Sequence, residues 1–260
     1  MTVSSQIFLS RGNSGCALAV QQTAIAVVVD ALRASTTIAA LCDRGVTRVL
    51  VVARVEDARA LALAMPDALL VGERGGERLP GFHLGNSPLE VLATPDLAGK
   101  TVIFTSSNGA QRLTACTGAR HVLVGSVSNA TALANWVRAR ADASPVVMVA
   151  AGQFPDEAFI SPEDEVSCVY LAARLGLPVA EASQALFAQW EREMILRGLT
   201  EVFRHSRHAQ RLQEIGYADD VRFCAQPDTL AAVPAVLGPV TLGDVRVGVE
   251  LRDVLRETAG

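Results

Sequence analysis

The stretch Ala24-Ile25-Ala26-Val27-Val28-Val29-Asp30 decides the fold. It is an unbroken apolar run, rich in β-branched residues, closed by an acid. Without polar alternation, such a run reads as a strand covered on both faces. Helical character follows from Thr36 to Arg44, and Gly45 suits the C-terminal cap. The same unit repeats outward. Val46 to Ala53 reads as a strand, Val55 to Met65 as a helix stopped by Pro66, and Leu69 to Val71 as a short strand. Thr101 to Thr105, His121 to Val124 and Val146 to Ala150 read as further strands, separated by a helix ending at Cys116 and another over Ser128 to Arg140. Apolar strands alternating with helices predict an α/β protein, a layered α/β/α sandwich with a mostly parallel or mixed central sheet.

The second half reads as a helix-rich C-terminal part. Pro162 to Leu175, Val179 to Arg197 and His205 to Ile215 have helical patterns, and irregular, turn-rich sequence then leads to a final strand pair around Pro239 to Leu251. These helices are expected on one side of the sheet. No linker rich in Gly, Ser or charge interrupts the chain, so residues 1–260 are expected to form one domain, with about 1–143 and 144–260 as its two lobes.

Composition removes several function classes. The chain has 260 residues, is 50% hydrophobic and carries a net charge of −4 with scattered basic residues. That balance offers no electrostatic footprint for nucleic acid. No apolar run approaches the ~20 residues of a membrane span. The start Met1-Thr2-Val3-Ser4-Ser5-Gln6 lacks the features of a secretory signal. Cys16, Cys42, Cys116, Cys168 and Cys224 are widely spaced, so they read as buried thiols in a reducing cytoplasm. The alanine-rich helices from Val166 to Leu186 suit either an internal core or the partner subunit of a homo-oligomer.

Chemistry is concentrated in Gly72-Glu73-Arg74-Gly75-Gly76-Glu77-Arg78 and its continuation through Asn86-Ser87-Pro88 to Glu90. Five glycines and two prolines predict an irregular loop there. Glycine lets backbone N–H groups approach a ligand, and arginine grips phosphate or sulfonate oxygens in pairs. The plain alternative is a solvated loop with local Glu–Arg pairs. Four strand ends carry small, polar, hydroxyl-bearing or amide-bearing turns. They are Asp30 through Arg33, Ser35, Thr36 and Thr37; Thr105-Ser106-Ser107-Asn108-Gly109; Gly125-Ser126-Val127-Ser128-Asn129; and Ala151-Gly152-Gln153. Ligands in parallel sheets bind beyond the strands' carboxyl ends, where free N–H groups suit an anion. Ordinary N-capping explains any one of these turns equally well. Asp30, Glu73, Glu77 and the Glu163-Asp164-Glu165 run supply oxygen donors for Mg2+. After Pro162, however, acids also suit a helix N-terminus, and Asp30 suits a cap.

Familiar alternatives fail at single residues. No Gly-x-x-x-x-Gly-Lys-[Ser/Thr] is present, and no Gly-x-Gly-x-x-Gly follows the first strand. Asp30 resembles the first aspartate of haloacid-dehalogenase phosphatases, but Leu32 stands where the second is required. A Cys-x5-Arg spacing occurs at Cys42/Arg48 and Cys168/Arg174, both placed in or near helices rather than in a strand-to-helix cradle. The four histidines form no metal pair, and His205 and His208 read as partly exposed or capping residues.

The ordered set of motifs resembles the 2-phosphosulfolactate phosphatases. Val27 to Thr37, Gly72 to Gly76, Gly81 to Pro88, Thr105 to Gly109, Gly125 to Ala130, Ala150 to Gly152 and Glu163-Asp164 are similar to that family's hallmarks, with His205-Ser206 and Asp219-Asp220 similar to later segments. The resemblance implies a Mg2+-dependent phosphatase that converts 2-phosphosulfolactate to sulfolactate and phosphate, a step of coenzyme M biosynthesis in that family. It implies Asp30, Glu73 and Asp164 around the metal and Asp30, Arg33, Glu73 and Arg74 as catalytic residues. The small anionic substrate is then expected at Ser35, Thr36, Thr37, Gly75, Gly76, Asn86, Ser87, Ser107, Asn108, Gly109, Ser126 and Asn129. The chain departs from the family at His83, where an acid is usual, and at Ser106, Ser107 and Ala110, where threonine is more frequent. Such changes bear on the substrate more than on the reaction. A small-anion binder without catalysis, and a lyase or isomerase of phosphorylated hydroxy acids, are the competing functional classes.

Overall fold

The computed structural model describes residues 5–140, 144–156 and 158–257. Strand β1 (Ile7–Arg11) and helix α1 (Gly12–Gln21), which the sequence patterns did not reveal, precede β2 (Ile25–Val29) and α2 (Ala34–Asp43). Next come β3 (Arg48–Val52), α3 (Val55–Ala64), β4 (Leu69–Arg74), β5 (Glu77–Arg78) and α4 (Pro88–Ala93). The alternating part ends with β6 (Thr101–Thr105), α5 (Gly109–Ala115), β7 (His121–Val124), α6 (Ala130–Arg138) and β8 (Val146–Ala150). A helical segment follows: α7 (Pro162–Leu175), α8 (Glu181–Arg197), α9 (Leu199–Arg204), α10 (Arg207–Glu214) and α11 (Ala218–Cys224). Strands β9 (Pro234–Leu242) and β10 (Val245–Asp253) and the short α12 (Val254–Glu257) complete it. The expected lobe boundary at residue 143 lies outside the described residues.

All five residues of β2 are buried, as its composition requires. Their side chains alternate between two cores. Ile25, Val27 and Val29 pack with Leu133 of α6, Val166 of α7 and Phe203 of α9. Ala26 and Val28 pack with Cys16 of α1, Ile38 and Leu41 of α2, and Leu113 of α5. A third cluster joins Leu50 and Val52 of β3 to Leu61 of α3 and Ile103 of β6. Helices therefore cover both faces, which is the expected α/β/α sandwich, and the helical segment lies against one of them. No described helix is long and apolar enough to cross a membrane.

The described strands form one ten-stranded sheet in the order β1-β8-β2-β7-β9-β10-β3-β6-β4-β5. The final hairpin is not an appendage. It sits mid-sheet between two parallel groups, pairing antiparallel with β7 on one side and β3 on the other. Gly248 makes the close approach to β3 feasible, because a Cβ there would lie 2.1 Å from the Val51 carbonyl oxygen. Three successive antiparallel pairings leave the two parallel groups running in opposite senses.

Three local expectations are corrected. The glycine-rich loop is not irregular throughout: β4 continues to Arg74 and turns back through β5, with Glu73 paired to Arg78. The helix expected from His205 to Ile215 begins instead at Arg207, where the Ser206 hydroxyl accepts the Ala209 N–H at 3.1 Å and caps α10. The turn-rich stretch beyond Ile215 contains α11.

Candidate active site

The strand-end turns converge, but they grip the protein's own carboxylates. Gly109 N, at the start of α5, donates to Asp30 Oδ2 at 2.7 Å. Ser107 N and Gly76 N donate to Glu73 Oε1 and Oε2, each at 2.8 Å. Ala31 N and Gly152 N donate to Asp164 at 2.8 and 3.0 Å. Backbone N–H groups expected to cradle a substrate anion therefore fix three acids in place. The Ser35 hydroxyl accepts the Asp30 N–H at 2.9 Å and holds the turn after β2.

Asp30 and Glu73 face a common cavity of about 430 Å3, a volume suited to a small ligand. Arg33, Gly75, Gly76, Asn86, Ser107 and Asn108 also line it, as do Gln153, Arg207, His208 and Arg211. Burial pushes the Asp30 carboxyl up to about 6; Glu73 reinforces the shift, while His208 and the Gly109 and Ala34 N–H groups oppose it. Asp164 is raised well above the usual carboxylate range by burial, then by Glu163 and Asp30.

The remaining expected residues lie outside the cavity lining. Arg74 donates to the carbonyls of Glu73 and Ala53 and to Thr105 Oγ1, at 2.6, 2.8 and 3.0 Å, so it braces the end of β4. Ser126 and Asn129 cap each other, and Asn129 Nδ2 donates to the Ala232 carbonyl at 3.0 Å. Thr36 and Thr37 are fully buried in α2. Ser87 accepts the Glu90 N–H and donates to Asp220 at 2.9 Å. Of the departures from the family pattern, Ser107 lines the cavity, whereas His83 and Ala110 do not. His83 is exposed, with Nδ1 accepting the Leu70 N–H at 2.9 Å, and Ala110 is buried with its N–H on Ser106 Oγ.

Asp164 stands apart from the other two acids expected around a metal. Its oxygens accept the Ala31 and Gly152 N–H groups and it is not among the residues lining the cavity, and no group of three His, Cys, Asp or Glu among the described residues could hold a metal ion. Asp30 and Glu73 nevertheless fit a hard cation. Mg2+ commonly uses one or two carboxylates and completes its shell with water and phosphate oxygens. Glu165 is committed to Arg11, and Glu163 Oε1 is 2.7 Å from His208 Nδ1.

Sequence reading missed the part α10 plays. Arg207 and Arg211 are four residues apart and thus share one helix face, and His208 lies beside them. The spacing is visible in the sequence, but which face meets the cavity is not. Sequence reading also missed the anchor of Arg33, whose guanidinium donates to Asp220 Oδ2 and the Gly76 carbonyl, both at 2.7 Å, over the Tyr217 ring.

Gly109 has a specific steric reason to be glycine. An added Cβ would lie 2.8 Å from Asp30 Oδ2 and 3.0 Å from Ala34 Cβ. Gly109→Ala is expected to displace the Asp30 carboxylate; were Asp30 to hold Mg2+, its affinity would fall about 10–100-fold, as loss of a ligand's support typically causes. Calorimetric titration with Mg2+ checks this, and unchanged affinity would place the cation elsewhere.

Comparison with known proteins shows the family. A family model described as 2-phosphosulpholactate phosphatase matches residues 16–238, which include every residue lining the cavity. A probable 2-phosphosulfolactate phosphatase of Carboxydothermus hydrogenoformans is 37% identical over 212 residues, covering 80% of this chain and 84% of the relative. Its counterpart in Gloeobacter violaceus is 36% identical over 214 residues, covering 80% and 86%. That of a Synechococcus species is 38% identical over 233 residues, covering 84% and 90%. The chain belongs to the 2-phosphosulfolactate phosphatase family.

Proposed function

We propose that the protein hydrolyses 2-phosphosulfolactate, or a related 2-phospho-hydroxy acid, to the free hydroxy acid (3-sulfolactate for the former) and phosphate, with Mg2+ as cofactor. One observation carries this reading: two buried carboxylates, Asp30 and Glu73, share a cavity with the arginines Arg207 and Arg211. A purely anionic pocket would repel such a substrate, and a purely cationic one would have no place for the metal. Asp30 and Glu73 would hold the Mg2+, which when bound neutralises phosphoryl oxygens and orients the reacting water. Arg207 and Arg211 match the carboxylate and sulfonate of the substrate, since guanidinium donors bind oxyanions in pairs. Asn86, buried with Oδ1 unpartnered, offers a further polar contact in the lining. Arg33 is engaged below, so its part is to fix the Gly76 carbonyl and thereby the N–H that holds Glu73.

Phosphate release from 2-phosphosulfolactate and 2-phospholactate, with Mg2+ and with EDTA, tests the reading. Release is expected with Mg2+ and not with EDTA. Tight binding without turnover would instead favour an anion-binding protein. Conversion of the substrate without phosphate release would favour a lyase or isomerase.

A further inference from the structure

We propose that His208 is the general acid that protonates the leaving hydroxyl oxygen during ester hydrolysis, with Glu163 as its positioning residue; the proposal rests on the phosphatase reading above. Two contacts fix the imidazole. Nδ1 lies 2.7 Å from Glu163 Oε1, whose side chain is 1% exposed in the first turn of α7. The ring stacks on Phe159 with centroids 5.3 Å apart. Ser206 caps the helix immediately before it. With Nδ1 committed to a carboxylate, Nε2 is the nitrogen left for the cavity that His208 lines together with Asp30 and Glu73. A buried acid on one ring nitrogen and a reaction space at the other is the arrangement that fixes tautomer and direction.

The chemistry requires such a group. The leaving group is the alkoxide of a secondary alcohol, a strong base, and neither Asp30 nor Glu73 is suited to donate a proton while holding a cation. Water forms the new P–O bond as the bond to the C2 oxygen breaks. The Nε2 proton passes to that oxygen and gives the neutral alcohol. Both protons of the water are first carried by phosphate as H2PO4−; one then passes to the imidazole, which restores the imidazolium and leaves HPO42−. Burial opposes the charged ring, but the Glu163 hydrogen bond and charge, then Asp30 and Glu73, outweigh it and hold His208 above the ordinary histidine range. Arg207 and Arg211 are the cationic groups that share its helix and cavity.

The test compares 2-phospholactate with its 3,3,3-trifluoro analogue, which keeps the carboxylate but leaves as a far weaker base. His208→Asn is expected to lower kcat on 2-phospholactate about 10²–10⁴-fold, the usual range for a general acid, and to cost the trifluoro ester at least tenfold less. Glu163→Gln keeps an accepting oxygen at Nδ1. It is expected to move the alkaline limb of the kcat profile on 2-phospholactate to lower pH, and it carries the test alone if His208→Asn does not fold. Equal losses on both esters, or an alkaline limb unmoved by Glu163→Gln, would overturn the assignment. Wild-type protein that releases phosphate from neither ester would instead refute the phosphatase reading.

Discussion

Asp30→Asn is expected to lower phosphate release by more than the ~10–100-fold typical of changes behind a metal ligand, while making the metal-free protein more stable at pH 7.5. Both effects have one cause. Asp30 is buried, faces Glu73 across the cavity, and has its carboxyl raised from 3.8 to about 6. The folded state therefore binds a proton in the window between those values that the unfolded chain has already released. Stability consequently falls as pH rises through the window, and the full cost is present above about 6. A shift of this size corresponds to on the order of 1–3 kcal/mol. Asparagine carries no charge yet keeps an oxygen for the Gly109 N–H, and it also relieves Asp164, which Asp30 raises. Urea unfolding in EDTA should show the wild type losing stability from pH 5 to pH 7.5, with a flatter profile in the variant. Mg2+ should stabilise the wild type and leave Asp30→Asn nearly unmoved. A variant less stable than wild type in EDTA at pH 7.5, or one that keeps full activity, would refute the assignment of Asp30.

Arg33→Ala is expected to destabilise the fold by about 3–5 kcal/mol, the scale for removing one partner of a buried ion pair. The Arg33 and Asp220 side chains are only 1% and 3% exposed, so the Asp220 carboxylate would be left without a counter-charge. Ser87 donates to its other oxygen and cannot compensate for that charge. The loss should also reach activity, because Arg33 binds the Gly76 carbonyl and stacks over Tyr217. Arg33→Lys should rescue only part of it, since an ammonium cannot span both acceptors or stack as a plane. Replacing both partners, as in Arg33→Met with Asp220→Leu, should recover stability without recovering kcat. Urea unfolding of the four proteins, with phosphate release measured on each, checks the cycle. An Arg33→Ala protein within about 1 kcal/mol of wild type would show the pair to be solvated rather than buried.

Parts of the site are legible in the sequence because their signals are local. Asp30 closes an apolar strand, and Glu73 sits where glycines permit the N–H approach of Gly76. His208 reads from the sequence as a partly exposed or capping residue, yet it lines the cavity with Arg207 and Arg211, since spacing gives a helix face without saying what it meets. Asp164 and the Ser126–Asn129 pair, expected at the site, lie outside the cavity lining. A side chain that caps or pairs with the backbone has the same sequence pattern as one that binds a ligand, so only their hydrogen bonds separate the two.

The sequence by itself determined the layered α/β architecture, the covering of both sheet faces and the family. Runs such as Ala24 to Val29 can be buried only one way, and the ordered motifs are read along the chain. Tertiary structure alone decided that the final hairpin divides the sheet, that Asp164 lies outside the cavity lining, and that α10 brings His208 to it. These are pairings between residues far apart in the chain. Their free energy comes from shared burial and charge compensation across the fold, which no local pattern encodes.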